Sequence, residues 1–146
     1  YRVEVEIGLP VNVEAFASEV HAILNDSRGW RRNFVRTDGA TTLRLLLASP
    51  TLVDRLCAPL DTGGYTSCRV GNNVVINAHR WAYNAAPFAN AGGSLALYRQ
   101  YVINHEMGHA IGNRHVQCPG AGRLAPIMQQ QTLYVEPCRP NGWPNP

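Results

Sequence analysis

The sequence predicts a single domain of the α+β class, and three observations support that prediction. Tyr1–Ile7 alternates apolar and polar residues, which is typical of a strand with one buried face. Thr42–Ala48 is a nearly continuous apolar run, typical of a central strand covered on both faces. Two stretches that begin near Val13 and Ser94 favour helices. With 146 residues, the chain is long enough for one hydrophobic core.

The first helix follows the break at Pro10, where Asn12 can act as its N-cap. Its apolar residues recur at helical spacing: Val13, Phe16, Ala17, Val20, Ile23 and Leu24. Turn-forming residues at Asp26–Gly29 end it. Asn33–Thr37 is then a candidate short strand.

The middle of the chain predicts a short helix followed by a hairpin. The helix is expected over Thr51–Leu56, directly after a proline. Tyr65–Val70 and Asn73–Ala78 have strand character and flank Gly71-Asn72, a pair that favours a tight turn.

The second main helix is expected from Ser94, a suitable N-cap, to about Ile111. The preceding stretch, Ala85–Gly93, is small, polar and glycine-rich and is predicted to be a loop. Beyond Gly112 the chain has few regular signals, apart from a possible short helix after Thr132.

The end of that helix carries the pattern HExxHxxGxxH. His105 and His109 are four residues apart, so both imidazoles leave the same helix face one turn apart. Glu106 lies about 100° round the helix, beside a metal held by the two histidines and not on it. Gly112 can end the helix in a left-handed conformation, and the turn returns His115 as a third ligand.

Three neutral imidazoles with an open fourth position describe a catalytic zinc site, because structural zinc sites are closed and usually contain cysteine. Zinc lowers the pKa of a bound water molecule towards about 7. Glu106 is the candidate general base for that water. The pattern therefore predicts metal-assisted hydrolysis, with Zn²⁺ as cofactor.

These eleven residues resemble the zinc signature of the metzincin metallopeptidases, and Ala125–Met128 resembles their Met-turn. The chain is also similar to one actinobacterial metzincin-like family of secreted or membrane-anchored domains. The stretches that carry this second resemblance are Leu47–Pro50, Val75–Asn77, Arg80-Trp81, Tyr98–Asn104, Cys118–Gly120 and Met128–Thr132.

The resemblance implies a metzincin-like architecture: an N-terminal mixed, twisted sheet with two main helices, a small irregular C-terminal subdomain, and a zinc cleft between them. The subdomains would be residues 1–112 and 113–146. Met128 would lie beneath the metal. The edge strand along the cleft would bind extended substrate by strand addition, which makes Tyr65, Thr66, Ser67 and Arg69 candidate substrate-binding residues.

Two departures from the well-known metzincin branches stand out. The residue after His115 is Val116, where those branches carry glutamate, proline, aspartate or serine. No tyrosine lies two residues after Met128, and Tyr134, six residues on, is not expected to bind metal. A structural role is expected for His79.

Four cysteines without a CxxC pair favour disulfides and an oxidising, extracellular compartment. Three pairings are possible. The sequence-local one, Cys57–Cys68 with Cys118–Cys138, is favoured because each bond closes a compact loop. Free buried cysteines are the alternative.

A zinc endopeptidase acting as a monomer on polypeptides is therefore expected. The alternatives are a cell-wall peptide amidase and a zinc-containing peptide-binding module without turnover. The thirteen arginines are scattered, give a net charge of only +3, and accompany no nucleic-acid-binding motif. No apolar run approaches the roughly 20 residues that cross a bilayer, so any signal or membrane anchor would lie upstream of Tyr1.

Overall fold

The computed structural model describes residues 1–146 and has the predicted α+β class, with a mixed four-stranded sheet and five helices. In chain order the elements are β1 (Arg2–Val5), α1 (Val13–Leu24), β2 (Arg44–Ala48), α2 (Pro50–Cys57), β3 (Cys68–Val70), β4 (Asn73–Asn77), α3 (Ala78–Tyr83), α4 (Ala86–Asn90) and α5 (Leu95–Ala110). Residues 111–146 contain no helix and no strand. None of the helices combines the length and the apolar character needed to cross a bilayer.

The sheet has the strand order β1-β2-β4-β3. The first three strands in that order are parallel, and β3 pairs antiparallel to β4 at the edge. Alternate residues of β2 face opposite sides. Leu45 and Leu47 join the main core, whereas Leu46 and Ala48 join a smaller cluster that includes Val53 of α2. The predicted burial of this strand on both faces is confirmed.

The two long helices begin where their caps predict. The Asn12 side-chain oxygen accepts a hydrogen bond from the Ala15 N–H at 2.9 Å, and the Ser94 hydroxyl accepts one from the Leu97 N–H at 3.1 Å. Helix α5 contacts α1, α3, β3 and β4, and its residues 101–108 are all buried. The packing places the end of α5 beside the edge strand β3.

Several predicted elements differ from the observed ones. Asn33–Thr37 forms no strand. Its two backbone–backbone hydrogen bonds are both to Tyr1: the Tyr1 amino group donates to the Val35 carbonyl, and the Thr37 N–H donates to the Tyr1 carbonyl. The predicted loop at 85–93 contains α4, because Phe88 is buried against the rings of Tyr98 and Tyr101. Residues 78–83, of which only Ala78 was assigned to the hairpin, form α3.

The hairpin is shorter than predicted, since Tyr65 belongs to a turn, Thr66 and Ser67 lie outside the strand, and β3 begins only at Cys68. The Tyr65 N–H bonds back to the Thr62 carbonyl at 2.9 Å. The stretch around and after Thr132 contains turns at 131–133 and 136–137 and no helix. Both deviations are local: side-chain and backbone bonds inside a loop compete with a longer regular element.

The predicted disulfides Cys57–Cys68 and Cys118–Cys138 are both present, and no cysteine is free. The first joins α2 to β3. The second closes a loop within residues 113–146, which otherwise has a single isolated bridge, Leu124 to Arg139. The C-terminal segment therefore depends on covalent and side-chain contacts more than on a backbone ladder.

We expect that C118A/C138A lowers the free energy of unfolding by about 3 kcal/mol, because the bond closes a loop of 20 residues. C57A/C68A should cost a similar amount, with a loop of 11 residues. Hydrogen exchange separates the two variants: the first should lose protection across 113–146 and the second around 57–70. Uniform loss of protection in both would contradict this division.

Candidate metal centre and active site

The last turn of α5 ends in a Schellman motif that fixes the direction of the chain. Gly112 has φ +99°, and its N–H donates to the His109 carbonyl at 3.1 Å. The Asn113 N–H donates to the Gly108 carbonyl at 2.9 Å, and the Asn113 side-chain amide donates to the same oxygen at 3.1 Å. These are the bonds of a glycine-terminated helix end, so the chain reverses at the glycine that the sequence indicated.

The reversal brings the three predicted histidines together. One potential ligand nitrogen from each of His105, His109 and His115 lies within 4.8 Å of the others. His105 comes from the buried face of α5, His109 is half-buried, and His115 is exposed on the returning chain. This cluster could hold a metal ion.

Two backbone carbonyls orient the helical imidazoles. His105 Nδ1 lies 2.8 Å from the Ile127 carbonyl oxygen, and His109 Nδ1 lies 2.9 Å from that of Asn113. A carbonyl can only accept, so each Nδ1 carries the proton and each Nε2 carries the lone pair. In histidine metal sites, the ring nitrogen that does not bind the metal usually donates a hydrogen bond that fixes the orientation of the ring.

The third histidine completes a donor set that fits a metal. His109 Nε2 and His115 Nε2 are 2.9 Å apart. Since the His109 Nε2 presents a lone pair, this approach requires a proton or a cation between the two nitrogens. Three converging imidazole nitrogens are suited to a borderline divalent ion such as zinc.

The imidazoles are held in the neutral form that ligation requires. Burial lowers the pKa of His105 to about 3. Burial also lowers the pKa of His109, with a further contribution from the positive charge of Arg69. For His115 the pKa is lowered by burial and then by His109. All three rings are therefore free of the extra proton at neutral pH.

Glu106 is the buried carboxyl beside this cluster. It is 6% exposed and lines the same cleft as the three histidines. Its carboxyl group makes no hydrogen bond or ion pair with another protein group. Burial raises the pKa of Glu106 to about 8, which describes the protein without a cation. A nearby cation would favour the ionised form.

The cleft has a volume of about 510 Å³ and lies between the edge strand and the returning chain. Thr66, Ser67 and Arg69, three of the four candidate substrate-binding residues, line it. Tyr65 does not; its ring lies under the Arg80 guanidinium, 4.5 Å away. The tyrosine turns away because residue 65 belongs to the turn before β3 and not to the strand.

Met128 is buried and packs against the helix from the side of the C-terminal segment. A Cβ atom placed on Gly108 would lie 2.5 Å from the Met128 sulfur and 2.6 Å from Trp30 Cζ2. The glycine therefore permits the close approach of both side chains to α5 at the residue before His109. Met128 does not line the cleft.

Sequence reasoning missed the groups that position the ligands. Asn113 and the Ile127 carbonyl act through the backbone, which leaves no residue-type signal. Tyr101 packs its ring 5.2 Å from that of His105 and accepts a hydrogen bond from the Gln131 N–H. Its hydroxyl also donates to the Gln129 carbonyl. A signal existed only for Asn113, since asparagine directly after a helix-ending glycine can close the turn.

Tyr134, which was not expected to bind metal, and His79, for which a structural role was expected, both lie away from the cluster. The Tyr134 hydroxyl donates to the Gln117 side chain at 3.1 Å, and Tyr134 does not line the cleft. His79 is exposed and is not part of the histidine cluster. Its ring packs on that of Tyr83, with centroids 4.9 Å apart.

A protein-family model described as "Protein of unknown function (DUF3152)" matches residues 1–141. No curated protein and no solved structure matches the chain.

We expect that E106Q gains stability over the wild-type protein as pH rises, when both are kept metal-free with a chelator. The folded pKa of Glu106 is about 8 against an ordinary 4.5, so the native state binds more protons than the unfolded state between these values. Wild-type stability is then lost as pH rises through this window, by up to about 1.4 kcal/mol per pH unit. Glutamine does not titrate.

Urea denaturation of both proteins at pH 5, 6, 7 and 8 measures this difference. Because His105, His109 and His115 are present in both proteins, their titration largely cancels. E136Q, the same change at an exposed position, is the control. A wild-type-to-E106Q difference that stays constant with pH would show that Glu106 is not desolvated.

We expect that G108A destabilises the protein by about 1–3 kcal/mol, because the new methyl group overlaps Met128 and Trp30. In an uncrowded helix the same change stabilises by about 1 kcal/mol, so the sign of the effect is diagnostic. G39A, where a Cβ meets only an ordinary contact, is the control. Thermal denaturation checks both, and a stabilised G108A would contradict the packing.

Proposed function

We propose that this chain, which belongs to the family described as DUF3152 proteins of unknown function, is a zinc-dependent endopeptidase of metzincin type. The proposal comes from the site, since the family description names no activity. It requires three properties of the protein: a metal position, a proton acceptor beside it, and a cleft that accepts extended polypeptide.

The observation that carries the proposal is the unpartnered carboxyl of Glu106 next to the three imidazoles. A buried carboxyl without a protein partner is costly. Glu106 lies in the cleft beside a cluster able to hold a cation, where a carboxyl group can act as a proton acceptor. That chemical role accounts for a burial that would otherwise only destabilise the protein. A site whose only task was structural would have no need of it.

His105, His109 and His115 would hold the zinc ion through Nε2. When bound, zinc acts as a Lewis acid that polarises a carbonyl group and increases the acidity of water. Glu106 accepts the proton of the attacking water and transfers it to the nitrogen of the leaving amine. The Ile127 and Asn113 carbonyls keep the helical imidazoles in the tautomer needed for these roles.

The cleft supports a polypeptide as the substrate. Its upper side is β3, an edge strand with only one neighbour, so its free side can pair with an extended chain. Thr66, Ser67 and Arg69 lie beside that path. The pairing length offered by β3 is three residues, so side-chain contacts must contribute much of the affinity.

The segment 113–146 would act as the C-terminal subdomain below the cleft, with Met128 at the Met-turn. The two disulfides are consistent with an extracellular location, and we propose that the enzyme acts outside the cell.

Digestion of a mixed peptide library by the wild-type chain and by E106Q tests the proposal. We expect cleavage by the wild-type chain with one zinc per molecule. E106Q should retain zinc and lose activity by about 10²-fold or more, because general base catalysis commonly supplies 10²–10⁴-fold.

E136Q, the same chemical change at an exposed site, should keep both zinc and activity. Equal cleavage by wild type and E106Q would remove Glu106 from the mechanism. A wild-type chain that binds zinc but cleaves no peptide would exclude the endopeptidase assignment for polypeptide substrates.

A further inference from the structure

Arg69 differs from the other arginines of the chain in its surroundings. On β3 its neighbours Cys68 and Val70 pack into the cluster beneath α2. Because side chains alternate along a strand, Arg69 projects to the opposite face, where it lines the cleft with His105 and His109.

The Arg69 guanidinium has no partner in the protein. It makes no ion pair and no hydrogen bond, and its Nε is buried and unsatisfied. Arg80 is the other arginine with a buried, unsatisfied Nε, but its guanidinium lies on the Tyr65 ring and contacts His79. Arg69 is half-buried and has neither compensation.

The acidic groups of the cleft do not pair with it. Glu106 and Asp61 are the two acidic residues that line the cleft. Neither lies within ion-pair distance of Arg69, and the Asp61 carboxylate accepts the Gly63 N–H instead. The charge of the guanidinium is therefore left for a ligand.

The chemistry of the unsatisfied group indicates which ligand. The Nε–H and one terminal N–H of a guanidinium point in parallel and match the two oxygens of a carboxylate. An orphaned Nε–H is one half of that fork. Buried donors are normally paired, and a carboxylate would pair both N–H groups and the charge at once.

We propose that Arg69 binds a carboxylate of the peptide substrate and makes the enzyme selective for acidic peptides; this inference rests on the proposed peptidase function. The carboxylate could belong to an acidic side chain or to a free C-terminus. Both sources present the same group to the guanidinium, so the experiment contains one arm for each.

Binding is measured on zinc-loaded E106Q, which separates recognition from turnover. Fluorescence anisotropy is recorded with three pools of labelled octapeptides that are identical except at the central residue and the C-terminus. The first has a central Gln and an amidated C-terminus, the second a central Glu and an amidated C-terminus, and the third a central Gln and a free C-terminus. Tighter binding of the second or third pool identifies the source of the carboxylate.

We expect one of the acidic pools to bind at least about tenfold more tightly than the neutral pool, the effect of a hydrogen bond to a charged group. Adding R69M should abolish this preference, so that all three pools bind with the same affinity. R69K, which keeps the charge without the fork, should retain only part of it. R55M, an equal charge change at an exposed position on α2, should retain it fully.

Equal binding of all three pools, or a preference that survives R69M with zinc content unchanged, would overturn the inference. Zinc content and circular dichroism of each variant show whether it is folded. If R69M does not fold, the test uses R69K, whose preference for the carboxylate-bearing pools should be smaller than that of the protein with Arg69. Failure of the peptidase proposal has a different signature: wild-type protein would leave every pool uncleaved while an Arg69-dependent preference for acidic peptides persisted.

Discussion

The arrangement of the site depends on two hydrogen bonds from imidazole Nδ1 atoms to backbone carbonyls. One carbonyl, Asn113, belongs to the turn that ends α5, and the other, Ile127, belongs to the C-terminal segment. Each bond fixes a ring orientation and a tautomer, so both must be in place before the nitrogens can converge with His115. A helix alone supplies two imidazoles at the right spacing; it does not determine where their lone pairs point.

This requirement explains the construction of residues 113–146, which have no regular structure but must hold the Ile127 carbonyl within hydrogen-bond distance of His105. Buried amide side chains substitute for a backbone ladder. The Gln131 side chain donates to the Asn141 carbonyl and accepts the Asn141 N–H, and the Asn141 side chain donates to the carbonyls of Ala125 and Trp143. The Asn104 side chain ties this segment to α5 through the Gly142 carbonyl. Such bonds depend on geometry, since an unpaired buried amide is costly.

The sequence predicted the parts that depend on local chemistry. The caps at Asn12 and Ser94, the leucine-rich strand and the helix end at Gly112 each have a local physical signal, and all lie where expected. The four site residues of the motif were predicted for the same reason. Where tertiary contacts decide the conformation, prediction failed: α4 forms because Phe88 packs against the rings of Tyr98 and Tyr101, and the only backbone–backbone bonds of Asn33–Thr37 are to Tyr1, just before β1 begins.

The edge strand depends both on local sequence signals and on tertiary contacts. Strand character along Tyr65–Val70 predicted a strand, and the family resemblance placed it beside the cleft. The bonds of the Thr62 loop keep the first half of that stretch out of the strand. Arg69 is the one charged side chain of β3, at a position where its neighbours are fixed by the Cys57–Cys68 disulfide and the small cluster under α2. Its backbone is thus held rigidly while its guanidinium remains unpaired. Rigid placement of an unsatisfied group reduces the entropy lost on binding. An unpaired buried donor, in contrast, only destabilises the folded state. A role in recognition therefore explains Arg69 better than a role in folding.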